Sequence, residues 1–366
     1  MPRVKFDTPT GPLDVNYVIS TPTNPNSPGI DEELPSILLI HSGYIAQEIF
    51  EPQFADPALR KRFNLISYDM RSWGTTVGQV ERSVYTPKTA ADDVVRFLEA
   101  LDLPPLHVFS ISIGCTVALE LTVARPERVL SLTLCSPLPT HEPEDIAEGR
   151  HQVYRYWSQS FNHDGTTPPG EPLPMDLDML EDLKRGSQEL MFNDQISRLT
   201  EAMTQTAIEH AVNNWAGTPE KLAVSYTVNV EWFLHREPIP KEALAKVSCP
   251  VTIIHCADDI AYFLRYAQEF ENTLREAGVQ DVALCQIAGP HFGSVVNAQA
   301  LNPILVDTVL SASSVRKVVF GRTDPAALRL EGNMVTPFAE ILARYGYDPS
   351  KSGEDSDDDD DIIITR

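Results

Sequence analysis

The sequence predicts an α/β fold with a mostly parallel central sheet flanked by helices. Short apolar runs recur along the 366 residues, and such runs are typical of strands that are covered on both faces. Segments with helical periodicity separate these runs, and that alternation favours a parallel sheet. A third observation is Ser112, which lies where a strand-like run passes directly into a helical segment.

Seven segments are predicted as strands because each is short and rich in apolar or β-branched residues. They cover residues 15–20, 36–41, 64–69, 106–111, 129–135, 250–255 and 282–287. Helical patterns fill the intervals. In residues 89–101, the side chains of Val94, Phe97, Leu98 and Leu101 recur at three- and four-residue spacing and share one face. Further helices are predicted from Ser112 to Pro126, over residues 262–277 and 294–310, and near residues 334–345.

Residues 137–247 have a different pattern. Strand-like runs largely disappear, and helical stretches are separated by polar loops. Three of the four tryptophans, Trp157, Trp215 and Trp232, lie in this segment. They either pack the helices together or line an apolar substrate pocket, and both roles can apply to different members of the set. We therefore expect a helical lid that is inserted into the core.

This pattern divides the chain into four parts. Residues 1–136 are the N-terminal part of the core, residues 137–247 the lid, and residues 248–346 the C-terminal part of the core with an extra helix. Residues 347–366 contain a mostly acidic block at 354–361. Such a block repels itself, so this end is predicted to be a disordered tail.

The composition argues against several kinds of partner. With a net charge of −23, neither nucleic acid nor an anionic membrane is expected to bind, because phosphates require Lys and Arg. The sequence contains no run of about 18 apolar residues, so no membrane span is predicted. The five cysteines lack C-x-x-C or zinc-ligand spacing, and the N-terminus lacks an apolar leader. We therefore expect free buried thiols in a cytoplasmic protein, with no metal and no cofactor.

The residues around Ser112 have the spacing of a nucleophile turn. Ser110 and Gly114 lie two positions to either side, and small residues are needed where a strand turns sharply into a helix. The usual pattern is G-x-S-x-G, and Ser110 replaces its first glycine. A serine nucleophile also needs a base and an acid that orients the base. Sites in parallel sheets gather at the carboxyl ends of strands, and after Ser112 only Asp258 or Asp259, with His291, supply both groups there.

These residues resemble the α/β-hydrolase superfamily, in particular its lid-bearing branch of esterases, lactonases, enol-lactone hydrolases and carbon–carbon hydrolases. The motifs that carry the resemblance are His41-Ser42-Gly43, residues 69–74, the Ser112 turn, residues 126–129, residues 250–259 and residues 289–292. The resemblance covers roughly residues 10–137 and 245–312. It implies the α/β-hydrolase fold with an inserted helical lid.

The resemblance also implies residue roles. Ser112 would be the nucleophile, His291 the general base, and Asp259 the acid. Asp258 is the competing acid, because Cys256 occupies the glycine position of the family pattern.

The oxyanion donors would be two backbone amides. One is that of Ile113, directly after the nucleophile, and the other that of Gly43 in the loop after His41. Ser42 stands where the family usually has glycine. His41 would brace this loop rather than act in catalysis, and Asp69 and Arg71 would hold the loop after the fourth strand.

The chemistry implied is that of a cofactor-independent serine hydrolase. Its partner would be a small-molecule substrate, an ester, thioester or lactone of small to medium size and apolar character. A serine at the turn argues against dehalogenases and epoxide hydrolases of this fold, which use aspartate there. An acyltransferase or a carbon–carbon hydrolase with the same triad, and a non-catalytic ligand-binding member of the fold, are the alternatives. The oligomeric state stays open.

Overall fold

A computed structural model of the chain describes residues 1–168, 171–315 and 335–349. At its centre lies an eight-stranded sheet. Its strands are β1 (Arg3–Thr8), β2 (Gly11–Ser20), β3 (Ser36–Ile40), β4 (Asn64–Tyr68), β5 (Leu106–Ile111), β6 (Val129–Cys135), β7 (Val251–Cys256) and β8 (Val282–Ile287). Their order across the sheet is β1-β2-β4-β3-β5-β6-β7-β8. Among the described strands, β1–β2 and β2–β4 are the antiparallel pairs and the other pairs are parallel, so the predicted mostly parallel sheet is confirmed.

Helices connect the strands from β3 onward. They are α1 (Glu51–Phe54), α2 (Pro57–Arg60), α3 (Pro87–Ala100), α4 (Ile113–Ala124), α5 (Glu144–Ser160), α6 (Leu177–Phe192), α7 (Arg198–Trp215), α8 (Pro219–Tyr226), α9 (Trp232–Leu234), α10 (Lys241–Leu244), α11 (Leu264–Glu276), α12 (Gly293–Val296), α13 (Ala298–Val315) and α14 (Ala339–Ala343). A π-helical turn, Thr227–Glu231, joins α8 to α9. Helices α5 to α10 lie between β6 and β7, in residues 137–247, which we call the helical insertion.

The sheet is buried on both faces. In β3, Leu38 and Ile40 belong to one hydrophobic cluster, whereas Ile37 and Leu39 belong to the other. Because side chains alternate between the two faces of a strand, the two clusters cover opposite sides of the sheet. This double burial is the reason that the central strands are continuous apolar runs in the sequence.

At each edge of the sheet, one expectation differs from the structure. The antiparallel strand β1 is absent from the predicted strands, because its alternation is short and only Val4 and Phe6 supply apolar side chains on its half-buried face. At the other edge, Cys285 of β8 is half-buried. The expectation of five buried thiols is therefore wrong at this one position, since an edge strand leaves part of its surface open to solvent.

The helix predicted over residues 294–310 is two helices. The backbone of Asn297 leaves the helical region, with φ −126° and ψ 45°, and separates α12 from α13. The last helix, expected near residues 334–345, is confined to α14, and Met334 lies outside the described residues.

The ordered packing against the core continues past the residue at which the tail was predicted to begin. Tyr347 is buried and belongs to the hydrophobic cluster that includes Leu39, although the tail was expected to begin at residue 347. Residues 350–366, which hold the acidic block, lie outside the described residues.

The turn between β5 and α4 depends on close packing of backbone against backbone. A Cβ atom built on Gly114 would lie 2.7 Å from the carbonyl oxygen of Ile40 and closer still to that of His41. Real Cβ atoms do not approach so closely, so only glycine allows α4 to start this near the end of β3. The glycine predicted to be required after the serine therefore has a direct steric cause.

Replacing this glycine tests that packing. We expect Gly114→Ala to lower the free energy of unfolding by about 3 kcal/mol, because backbone atoms of two elements must move apart. Gly149→Ala is the matched control, since Gly149 lies in α5 with no atom within 4 Å of an added Cβ. That variant should gain up to about 1 kcal/mol from helix propensity. Equal unfolding midpoints in urea for the two variants would contradict the steric account.

Candidate active site

Ser112 occupies the apex of the turn between β5 and α4. Its backbone has φ 56° and ψ −123°, a conformation that non-glycine residues rarely adopt. Its amide donates to the carbonyl oxygen of Cys135 at 3.0 Å, which holds the turn against β6. A strained backbone of this kind costs about 1–3 kcal/mol and persists only where the surroundings enforce it.

His291 lies in the loop after β8 and contacts Ser112. Its Nε2 is 2.9 Å from Ser112 Oγ, and its Nδ1 is 2.6 Å from Asp259 Oδ2. Because a carboxylate only accepts hydrogen bonds, Nδ1 donates to Asp259, and Nε2 is the nitrogen that faces the serine hydroxyl. The side chains of Ser112, His291 and Asp259, which lie far apart in the chain, form one continuous hydrogen-bonded series.

The two candidate acids have different partners. Asp259 receives two backbone amides at its Oδ1, from Ala261 at 2.9 Å and from Tyr262 at 2.8 Å, while its Oδ2 faces the histidine. Asp258 instead accepts the amide of Gly289 at 2.8 Å. The structure therefore brings Asp259, and not Asp258, to the imidazole.

Cys256 fits the site although it replaces the glycine of the family pattern. Its sulfur lies 3.3 Å from the hydroxyl of Ser136, and that hydroxyl lies 2.7 Å from the carbonyl oxygen of His291. A Cβ atom added to Gly293 would come within 2.7 Å of the same sulfur. The thiol thus fills space beside the histidine loop, and the glycine at position 293 provides that space.

The two predicted oxyanion donors lie on adjacent segments. Ile113 is the first residue of α4, where a helix leaves its amides without carbonyl partners of its own. A Cβ atom built on Gly43 would lie 3.5 Å from the side chain of Ile113 and 2.8 Å from the ring of Phe233. Position 43 therefore lies beside the helix start and beneath an aromatic ring of the helical insertion.

His41 braces the loop that carries Gly43. Its Nδ1 is 2.6 Å from the carbonyl oxygen of Ser42, and its Nε2 accepts the amide of Met70 at 2.9 Å. Burial lowers the pKa of His41 to about 4, so the imidazole is neutral near pH 7. With both nitrogens committed to backbone groups, His41 connects the loops after β3 and β4.

Asp69 and Arg71 hold the loop after β4. Asp69 accepts the side-chain amide of Asn16 at 2.7 Å and the backbone amide of Thr75 at 3.0 Å. Arg71 forms a bidentate ion pair with Asp93, with Nη2 2.6 Å from Oδ1 and Nε 3.0 Å from Oδ2. These contacts agree with the expected structural role of both residues.

The three side chains are buried, and the helical insertion bonds to a loop of the core nearby. Ser112 and His291 are each only 4% exposed. Trp215 of α7 donates to the hydroxyl of Ser72 at 2.8 Å, and Trp232 of α9 donates to the carbonyl oxygen of Tyr85 at 2.7 Å. These two hydrogen bonds thus attach the insertion to the loop after β4.

A narrow cavity lies within the insertion and reaches the loop of Gly43. Its volume is about 70 Å³. Its lining residues include Trp157, Trp215 and Tyr44. Trp232 does not line this cavity but packs against Trp73 and Tyr85. The aromatic residues of the insertion therefore divide between cavity lining and helix packing.

Three further residues lie at the site, and the sequence analysis assigns none of them an individual role. The ring of Tyr262 lies 5.1 Å from that of His291, between centroids, and Phe233 covers Gly43. Arg150 reaches Tyr262 from the helical insertion. Arg150 has no signal in the sequence, whereas Phe233 is one of the aromatic residues of the insertion and Tyr262 closely follows Asp259 in the chain.

Among the described residues, no group of three or more His, Cys, Asp or Glu side chains is placed to hold a metal ion. In the same part of the chain, no helix has the length and apolar character needed to cross a membrane.

A family model of the alpha/beta hydrolase fold matches residues 35–279, which is more than half of the chain. The chain therefore belongs to the α/β-hydrolase family.

Curated relatives match a shorter stretch. A protein named as a carbamate hydrolase, RutD, from Caulobacter vibrioides is 30% identical over 108 residues, which are 29% of this chain and 39% of the relative. RutD from Agrobacterium fabrum is 28% identical over 113 residues, 31% of this chain and 42% of that protein. The chain thus spans about two fifths of the length of the curated relatives that it matches.

Solved structures share the fold over most of the chain. An enol-lactonase from Burkholderia xenovorans has a TM-score of 0.58 at 16% identity, covering 81% of this chain and 97% of that one. A thermophilic esterase from Thermogutta terrifontis has a TM-score of 0.59 at 17% identity, covering 87% and 100%. A bromoperoxidase from Bacillus anthracis has a TM-score of 0.59 at 19% identity, covering 83% and 98%. At these identities the likeness concerns the fold.

Proposed function

We propose that this protein is a cofactor-independent serine hydrolase that cleaves an ester, thioester or lactone. The observation that carries the proposal is the hydrogen-bonded series from Ser112 through His291 to Asp259. A hydroxyl at this position, an imidazole nitrogen that faces it, and a carboxylate behind the imidazole are the three groups that acyl transfer requires.

The first step is attack of Ser112 Oγ on the substrate carbonyl carbon. His291 Nε2 takes the hydroxyl proton as the new C–O bond forms, and Asp259 stabilises the imidazolium through Nδ1–H. The carbonyl oxygen becomes an oxyanion. We place the amides of Ile113 and Gly43 as its donors, because their segments lie side by side next to the serine.

The second step releases the leaving group. His291 returns the proton to the departing alcohol, thiol or ring oxygen as the tetrahedral intermediate collapses to an acyl-enzyme. Water then attacks the acyl carbon, His291 again takes a proton, and Ser112 is regenerated with release of the acid. Each proton passes through one nitrogen, so no metal or organic cofactor is needed in the scheme.

We further propose that the helical insertion, residues 137–247, is a lid over this site. Its fastening to the loop after β4 and the low exposure of Ser112 support a site that opens for substrate by movement of the insertion. The aromatic residues of the cavity favour an acyl or alcohol part of apolar character.

An acyltransferase is the second candidate. The observation that favours it is the enclosure of Ser112, because a site that excludes water lets an alcohol or amine compete for the acyl-enzyme. Addition of a nucleophilic alcohol during turnover separates the two activities, since only an acyltransferase forms the new ester in preference to the free acid.

The proposal is tested with p-nitrophenyl esters from acetate to decanoate. We expect turnover by the natural protein and a loss of at least about 10³ in kcat for Ser112→Ala, because the nucleophile is removed. Ser110→Ala is the matched control from the same motif. Its buried hydroxyl lies 3.5 Å from the carbonyl oxygen of Thr133 and away from the triad, so it should keep most of the activity. Ser112→Ala with the kcat of the natural protein would refute the proposed nucleophile.

The two acids give a separate prediction. Asp259→Asn should lower kcat/KM by about 10³ or more, since the amide favours the wrong imidazole tautomer. Asp258→Asn should lower it by less than about tenfold, because an asparagine oxygen can still accept the amide of Gly289. Steady-state kinetics on one p-nitrophenyl ester compares both variants. Equal losses of kcat/KM in the two variants would contradict the assignment of Asp259 as the acid that orients His291.

A further inference from the structure

A buried group of charged side chains lies beside the proposed site. We call Glu142, Arg150 and Arg236 the arginine cluster. Glu142 Oε1 accepts Arg150 Nε at 2.5 Å, and Glu142 Oε2 accepts Arg236 Nη2 at 3.0 Å. All three side chains are less than 5% exposed. Because these side chains are shielded from solvent, their charges must be balanced by neighbouring groups.

The cluster has more positive than negative charge. One carboxylate serves two guanidinium groups, and the guanidinium of arginine does not lose its proton. In the described part of the chain, the other groups that bond to them are neutral: the hydroxyls of Tyr44 and Tyr262 and two backbone carbonyls. Burial raises the pKa of Tyr262, which keeps its phenol uncharged. Among the described residues, the two guanidinium groups therefore share a single carboxylate within hydrogen-bonding distance, so one positive charge has no directly bonded anion.

Two tyrosines connect the cluster to the triad. Arg150 donates to the hydroxyl of Tyr262 at 2.8 Å, and the amide of the same tyrosine donates to Asp259. Arg150 also donates to the hydroxyl of Tyr44 at 3.0 Å, and Tyr44 follows Gly43 directly. The guanidinium therefore lies between the acid of the triad and the proposed oxyanion loop.

Arg150 also borders the cavity that reaches the loop of Gly43. Together with Tyr44 it lines the cavity of the helical insertion. One face of its guanidinium rests on the ring of Phe233, with 3.4 Å from Cζ to the ring centroid. The contacts to Glu142 and Phe233 fix the orientation of the group, so it presents a rigid cation to an otherwise mostly aromatic and aliphatic cavity.

We propose that the arginine cluster binds a carboxylate on the substrate, so that the preferred substrate is an acidic ester or lactone. A carboxylate supplies the single negative charge that the cluster lacks, and its two oxygens match the planar donors of a guanidinium. A dianionic phosphate would leave an excess negative charge in the same enclosed place. Arg150 contacts the carboxylate, while Glu142 and Arg236 are positioning residues. This inference rests on the proposed function for the location of the reacting carbonyl group.

The test compares two ligands that differ in one group. Monoethyl glutarate ends in a carboxylate where ethyl pentanoate ends in a methyl group. Binding of each is measured by titration calorimetry on the full chain with Ser112→Ala, which under the proposed function turns over the ester too slowly to disturb the titration. We expect monoethyl glutarate to bind about tenfold more tightly. Adding Arg150→Met should remove that preference.

The matched control is Arg155→Met in the same background. Arg155 lies on α5 as Arg150 does, but it is exposed and pairs with Glu148 at the surface. This variant should keep the tenfold preference. Tyr44→Phe removes one hydroxyl contact without removing a charge and should reduce the preference about threefold. It tests the inference even if Arg150→Met does not fold.

Two outcomes overturn the inference: equal affinity for both ligands in the Ser112→Ala protein, or a preference that survives Arg150→Met and Tyr44→Phe alike. Turnover of both esters by the natural protein is measured separately. Preferential binding of monoethyl glutarate without hydrolysis of either ester would uphold carboxylate recognition and refute the hydrolase proposal. Equal binding of the two ligands, with hydrolysis of both esters at the same kcat/KM, would uphold the hydrolase proposal and refute carboxylate recognition.

Discussion

The turn at Ser112 is the constraint on which the rest of the structure depends. The serine adopts φ 56°, and the helix that follows can begin there only because Gly114 lies against the backbone at the end of β3. The same close approach puts Ile113 beside Gly43. One steric requirement thus supports both the position of the proposed nucleophile and the proposed pair of oxyanion donors.

The fold and the three central side chains could be predicted from the sequence because local signals and one general rule were sufficient. Buried strands have continuous apolar runs, and the carboxyl ends of parallel strands share one edge of the sheet. Ser112, Asp259 and His291 each follow a strand, so their approach to one another is a consequence of topology. The choice between Asp258 and Asp259 depended on loop geometry, and the amides received at Asp259 distinguish the two carboxylates.

The remaining features depend on contacts between distant parts of the chain. Arg150 and Arg236 look like ordinary residues of an amphipathic segment, and only packing of the insertion buries both against Glu142. Phe233 covers Gly43 because α9 follows a π-helical turn, which no simple periodicity indicates. The edge strand β1 was missed because a six-residue alternation is too short to stand out. The inserted segment thus holds the least predictable features, and we place substrate choice there.

The most direct test of the central claim is covalent trapping of the proposed nucleophile. The full chain is treated with a fluorophosphonate, and the adduct is located by intact-mass measurement and peptide mapping. Attack of Ser112 on phosphorus with loss of fluoride should place a single adduct on the peptide that contains Ser112, and His291→Ala should slow its formation by about 10³ or more. A folded protein that forms no adduct, or forms it at another residue, would contradict the account.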